Sequence, residues 1–214
     1  MASHLEIVTT FIEEFEKVLI ECPIVSRSFY NSFEFTRTGN NLSHPRTLGL
    51  LVKACNSLSE VVAVDVDVHL NAGSGVKFQP DLVAWDKDEI CTLIVDFESP
   101  NSSDARIPGK DVQAYAKWID FTKCEVPYLI ITSLPKVPKG KWKLRMDRDG
   151  CNREHREFVD QIKSSPFTYW YGVYREELEK LSKQYHGFRE LPLFFANLDG
   201  VAVHLIDPWV SQTV

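Results

Sequence analysis

Asp81 and Asp96 are the residues of this chain best placed to do chemistry. Each sits in an apolar run, Gln79-Pro80-Asp81-Leu82-Val83-Ala84-Trp85 and Leu93-Ile94-Val95-Asp96-Phe97-Glu98-Ser99-Pro100. A carboxylate in such a run is costly to bury unless a metal, a cation or a strand-end position receives it. The two acids are fifteen residues apart, across the polar turn Asp86-Lys87-Asp88-Glu89. That layout suits a two-stranded unit presenting both carboxylates at one point. Two carboxylates on a rigid sheet form a seat for a hard divalent cation, Mg²⁺ or Mn²⁺, able to activate water against a phosphodiester. Glu98 is two residues beyond Asp96, so on a strand both side chains share one face.

The elements that must position these acids are readable from periodicity. Residues 4–21 form an amphipathic helix, with Leu5, Val8, Ile12, Phe15, Val18 and Leu19 at helical spacing and Pro23 as its stop. Residues 26–44 read as a loop with a short strand or helix. A second helix is expected from His44-Pro45-Arg46 to about Leu58, capped by Ser43 with Pro45 in the first turn. Val61 to Leu70 alternates as a strand. Asn71-Ala72-Gly73-Ser74-Gly75 is a turn, and Val76–Trp85 and Ile90–Phe97 are further strands. Neighbouring strands are expected to pair antiparallel.

A helix is expected over 108–121, with Val112, Tyr115, Ala116 and Ile119 on its apolar face and Lys110, Gln113 and Lys117 on another. Tyr128–Thr132 reads as a buried strand, parallel to the sheet it rejoins. Residues 152–164 and 173–185 look helical. Leu193–Asn197 and Gly200–Ile206 form a hairpin. The chain is read as a single domain, 1–214, with a core at about 45–132 and a helical and hairpin extension at about 134–210.

Composition sets the class. Of 214 residues, 44% are hydrophobic and 25% charged, which is ordinary for a globular protein long enough to bury a full core. The net charge of −6 argues against a generic nucleic-acid binder, although a carboxylate site itself adds negative charge. Cys22, Cys55, Cys91, Cys124 and Cys151 are scattered, without the spacing of a zinc site or a disulfide framework. They suggest reduced, packing cysteines in a cytoplasmic protein. No signal peptide and no membrane-length apolar run is visible.

The order of two helices, strands bearing Pro80-Asp81 and Asp96, then a helix bearing Lys110 and Gln113, resembles the PD-(D/E)XK nuclease superfamily. It resembles more closely a bacterial family of putative restriction-endonuclease-like proteins of unknown function. The matching pieces are Pro80-Asp81, Asp96-Phe97-Glu98-Ser99-Pro100, Asp104, Lys110 and Tyr115, within roughly residues 45–132. Glu98 stands where the superfamily lysine is expected. The Lys110–Tyr115 spacing is one residue longer than in the closer family.

The resemblance implies an α/β protein of restriction-endonuclease-like fold, with a mixed central sheet flanked by helices. It implies a Mg²⁺- or Mn²⁺-dependent endonuclease hydrolysing DNA. Asp81, Asp96 and Glu98 would be the metal ligands, with the Phe97 carbonyl as a further contact. Lys110 would orient or deprotonate the water, and Gln113 would complete the site. A homodimer would allow both strands to be cut. The rival reading is a non-catalytic protein that keeps the fold and binds nucleic acid or a protein partner, with Glu98 marking a lost lysine. A carboxylate-pair glycosidase is a third reading, less suited to a Lys/Gln helix.

Other features have plainer readings. The acids could form a structural ion-pair network with Lys110 or Arg106. Asp65 and Asp67 are read as solvent-facing acids, and Glu60 is the nearest helix-borne candidate for completing the site. The basic run Lys136, Lys139, Lys141, Lys143, Arg145 and Arg148, with Trp142 and the aromatics at 167–171, could grip phosphates and stack bases or form a charged surface hairpin.

Overall fold

The computed structural model describes residues 3–22, 37–71, 73, 75, 77–98, 109–132, 178–185, 187–199, 201–207 and 209, with the backbone alone at 37–44, 98, 109–110, 132 and 199. Helix α1 spans His4–Glu21. It opens on a capping box in which Ser3 Oγ accepts from the Glu6 amide at 3.2 Å and Glu6 Oε2 accepts from the Ser3 amide at 2.6 Å. Val8, Phe11, Ile12, Phe15, Val18 and Leu19 form its buried stripe. Each such side chain contributes about 1.5–3 kcal/mol on leaving water.

Helix α2 spans Arg37–Cys55 and contains Pro45. The expected start at Ser43-His44-Pro45 is therefore corrected: the helix begins seven residues earlier and runs through the proline. Pro45 lacks the N–H that would bond back one turn, so helix on either side must hold this position. The apolar half that follows, with Leu48, Leu50, Leu51, Ala54 and Cys55 buried against α1 and the sheet, anchors it.

Strand β1 is Ala63–Val66, β2 Leu70–Asn71, β3 Lys77–Phe78, β4 Leu82–Trp85 and β5 Cys91–Glu98. The long strands expected over 61–70 and 76–85 are thus each two short ones. Asp67 breaks the first, taking a left-handed φ of 53°. Pro80 interrupts the second, since proline cannot donate to a ladder. The β2–β3 hairpin turns through Gly73 at φ 69°, where Asn71 Oδ1 accepts the Gly73 amide at 2.9 Å. A Cβ on Gly73 would lie 2.6 Å from the Phe121 ring, so the ring would have to move aside, and the left-handed φ itself favours glycine.

Helix α3 (Gly109–Thr122) crosses from β5 to β6 (Tyr128–Thr132), and β6 pairs parallel with β5 as expected of a strand returning after a helix. After the helical residues 178–184 and a short 3₁₀ turn at Phe188–Glu190, β7 (Leu193–Asp199) pairs parallel with β6, and β8 (Ala202–Ile206) closes an antiparallel hairpin. The result is a mixed six-stranded sheet in the order β1-β4-β5-β6-β7-β8.

The sheet has a different cover on each face. Leu82, Ala84, Leu93, Val95, Phe97, Leu129 and Ile131 point to α1 and α2. Ile94, Tyr128, Ile130 and Phe195 point to α3, to residues 178–184 and to Phe78 of the small hairpin. Alternation along β5 therefore sends Asp96 to the α3 side, between Ile94 and the end of the strand. Among the described residues no helix is long and apolar enough to cross a membrane.

Candidate functional site

Strands β4 and β5 run antiparallel with Leu82 opposite Val95, so the next step places Asp81 opposite Asp96. At this point the ladder changes partners, and each acid binds the other strand's backbone. The Asp81 amide donates to Asp96 Oδ1 at 2.6 Å, and the Phe97 amide donates to Asp81 Oδ2 at 2.8 Å. This reciprocal pair ends the ladder without leaving those amides orphaned.

A third strand completes the arrangement. Tyr128, at the start of β6 and fully buried, donates its hydroxyl to Asp96 Oδ2. Both carboxylate oxygens of Asp96 thus hold a described donor. The Tyr128 ring is held edge-on by Phe78 at 5.4 Å and packs on Tyr115 at 4.8 Å between centroids. Tyr115 in turn donates to the Val126 carbonyl at 2.6 Å, and burial pushes its phenol above the usual tyrosine range.

Asp96 is only 6% exposed. Burial holds its carboxyl well above the ordinary aspartate range, and repulsion from Asp81 adds to this. The Tyr128 hydroxyl and the Asp81 amide oppose the shift, and Asp111 in the first turn of α3 repels it further. Asp81 and Asp111 therefore both act on Asp96 near the end of β5. A cation at this point would relieve their repulsion.

Two carboxylates are a hard-oxygen set of the kind Mg²⁺ uses, since that ion keeps several waters and takes one or two carboxylates with substrate phosphate. Each carboxylate oxygen carries two lone pairs, so accepting one hydrogen bond leaves capacity for a ligand bond. The chemistry of Asp81 and Asp96 fits the ion in this sense. No group of three or more His, Cys, Asp or Glu able to hold a metal is present among the described residues.

The other expected site residues are placed unevenly. Glu98 is the last residue of β5, in register with Thr132, and Lys110 is the second residue of α3. The side chains of both lie outside the described residues, as do Asp104, Arg106, the basic run at 136–148 and the aromatics at 167–171. Gln113 is directed elsewhere: its amide donates to the Tyr185 hydroxyl at 3.1 Å, tying α3 to the segment after the 178–184 helix. In this arrangement Gln113 is engaged with Tyr185 and is not seen against Asp81 or Asp96 among the described contacts. Asp65 accepts the Trp85 indole N–H at 2.9 Å across the β1–β4 pair, and Glu60 is exposed. Cys55 and Cys91 are thiols pushed up to about 12 by burial, in keeping with packing rather than reactive cysteines.

Sequence reasoning missed Tyr128 and Asp111. The signal for Tyr128 was present as a polar-tipped aromatic opening an otherwise aliphatic run, a residue type that seeks a partner when buried. Asp111 carried no signal beyond its position at a helix start.

Comparison with family models, with curated proteins and with solved structures finds no match to this chain.

Proposed function

We propose that this chain is a metal-dependent endonuclease of restriction-endonuclease-like fold that hydrolyses DNA phosphodiester bonds. The observation that carries the reading is the meeting of Asp81 and Asp96 at the ends of β4 and β5, one hydrogen bond apart, on the sheet face covered by α3. Asp81 and Asp96 would hold Mg²⁺ or Mn²⁺, with Glu98 as a further ligand. When bound, such an ion supplies Lewis acidity to a phosphate oxygen and lowers the pKa of an attacking water.

The residues of the chain divide the remaining work. Tyr128 fixes the carboxylate plane of Asp96 through one oxygen, and the Asp81 amide fixes it through the other. Lys110, from the helix that follows β5, or Glu98 receives the water's proton. A new P–O bond then forms as the opposite P–O bond breaks, and the leaving oxygen takes a proton from a solvent water, giving a phosphate and a hydroxyl end. Removal of water from around Asp96 strengthens each of these interactions.

One observation favours the non-catalytic reading: Asp96 is buried with both oxygens engaged, and Gln113 is turned to Tyr185. In that case the cluster is a structural polar core and the protein binds nucleic acid or a partner without cutting. Calorimetric titration of Mn²⁺ into wild type and Asp96→Ala, followed by plasmid cleavage in the same buffer, separates the two. Metal binding lost in the variant, with metal-dependent nicking by wild type, is the expected result. Absence of metal binding in wild type would leave only the non-catalytic reading.

A further inference from the structure

The mixed sheet has two edges, β1 and β8, and the chain treats them differently. The edge of β8 is closed by helix α1, where Glu16 Oε1 accepts the outward Val203 amide at 2.6 Å. The edge of β1 has no such cover among the described residues. Ala63, Asp65 and Val66 are exposed along it, and Val62 and Val66 keep 63% and 45% of their surface in water. An open edge offers unpaired N–H and C=O groups to another strand, and natural edges are commonly blunted by lysine, proline or a covering segment. The run Val61-Val62-Ala63-Val64-Asp65-Val66 contains neither lysine nor proline.

The backbone bonds fix which groups face outward. The Asp67 amide donates to the Asp81 carbonyl at 3.1 Å, so Asp67 faces β4. Alternation turns Ala63 and Asp65 the same way and leaves the amides and carbonyls of Val64 and Val66 pointing away from the sheet. A symmetric antiparallel partner is then restricted in register. Centring the pair on Asp65 sets two aspartates face to face, and centring it on Val66 sets Asp65 against Asp67; like charges directly opposite are unfavourable. Centring it on Ala63 pairs Val64 with Val62, whose amide is already given to the Trp85 carbonyl at 2.9 Å. Centring it on Val64 lets Val64 exchange both N–H···O=C bonds with its counterpart. Val66 then lies against Val62 and Asp65 against Ala63, so valines meet and the acids stay apart.

We propose that a second copy of this chain adds its β1 to this edge in the register centred on Val64, joining the two sheets into one across a two-fold axis. Paired residues point to the same face, so the axis stands perpendicular to the sheet and both copies present their α3 faces on one side. A pairing this short buries less than the roughly 1,200 Å² of a standard interface, so the dimer is of the transient kind. The inference does not depend on the nuclease reading.

The test is sedimentation equilibrium of the full chain, wild type and Val66→Lys, over about 5–200 µM, a range suited to weak self-association. Val66 is exposed, so the lysine should leave the fold intact, which circular dichroism melts verify. Wild type should move from the monomer mass toward twice that mass as concentration rises, and Val66→Lys should raise the dimer Kd by about tenfold or more. A second measurement reads the register. Val64→Cys and Val66→Cys are oxidised with copper phenanthroline and run on non-reducing gels beside wild type. Residues of a bonded antiparallel pair have Cα atoms about 5.5 Å apart, within disulfide reach, whereas the two copies of Val66 would be well separated along the strand. A dimer band from Val64→Cys above the wild-type background, with none from Val66→Cys, is expected. A wild type that stays monomeric throughout, or an unchanged Kd in Val66→Lys, would overturn the inference. A band from Val66→Cys alone would overturn the register and the charge argument behind it. None of these results bears on metal binding or cleavage, so the nuclease reading stands or falls separately.

Discussion

Replacing Tyr128 by Phe removes one oxygen and nothing else. The ring keeps its edge contact with Phe78 and its packing on Tyr115, so little apolar burial changes. What is lost is the donor to Asp96 Oδ2, in a pair where Tyr128 is fully buried and Asp96 6% exposed. A hydrogen bond to an ionised group contributes about 1.5–3 kcal/mol, against about 0.5–1.5 for a neutral one. The expected loss is therefore about 2 kcal/mol where Asp96 is ionised, or roughly 4–8 °C in Tm for a chain of this size.

The pH dependence has a definite sign. Burial raises the folded pKa of Asp96 above its unfolded value, so the folded state binds the proton more tightly. Its contribution to stability is fully present below the unfolded pKa and is lost as pH rises through the folded one. Removing Tyr128 raises the folded pKa further, so the cost of Tyr128→Phe grows with pH. Urea unfolding followed by tryptophan fluorescence, repeated from acid to mildly alkaline pH in chelator, measures it. Tyr115→Phe is the control, since its hydroxyl serves the neutral Val126 carbonyl and its cost of about 1 kcal/mol should not vary across this range. Equal, pH-independent costs for the two variants would refute a charged Asp96–Tyr128 pair.

Three further outcomes follow from the same geometry. Asp96→Asn, which keeps the shape while removing the charge, should raise stability above wild type at neutral pH in chelator by on the order of 1–3 kcal/mol, and flatten the pH profile; a large loss would mean the charge is well compensated. Mn²⁺ at a hundredfold excess over its Kd should stabilise wild type by about 2.7 kcal/mol and leave Asp81→Asn and Asp96→Asn unmoved, as read by thermal melts. Gly73→Ala should cost more than about 1 kcal/mol because a left-handed φ and the Phe121 ring both oppose a Cβ; an unchanged urea midpoint would show that Phe121 can swing away.

Much of this fold is legible because its elements carry undiluted periodicities. Helix α1 is bounded as its stripe from Val8 to Leu19 implies, and β5 and β6 are continuous apolar runs too short for helices. Asn197-Leu198-Asp199-Gly200 announces the last hairpin. The breaks were illegible for a physical reason. Alternation continues through Asp67 and Val68, yet the chain turns there because Asp67 can adopt a left-handed conformation, which pattern alone does not encode. Pro45 pointed to a helix start, but the packed half from Thr47 to Cys55 carried the helix past it.

At the site, spacing was enough to bring Asp81 and Asp96 together, because one hairpin joins them. It was not enough for Tyr128, which arrives across the parallel β5–β6 pairing, or for Asp111, which arrives on the crossover helix. Their registers are set by packing between distant segments and leave no local signature. Gln113 illustrates the converse: its helix position was read well, but its partner, Tyr185, lies far along the chain.

The parallel pairing of β6 with β7 joins Tyr128 to Leu193, so the sheet closes through a long chain excursion. Contacts of such separation form slowly, because the entropy of closing the loop must be overcome before they gain anything. The meander of β1, β4 and β5 is local and can assemble early, with both acids still hydrated. Asp96 is therefore expected to lose its water when β6 docks and Tyr128 arrives. On this topology the strong electrostatics of the cluster are expected late in folding, so that Tyr128→Phe should speed unfolding more than it slows refolding.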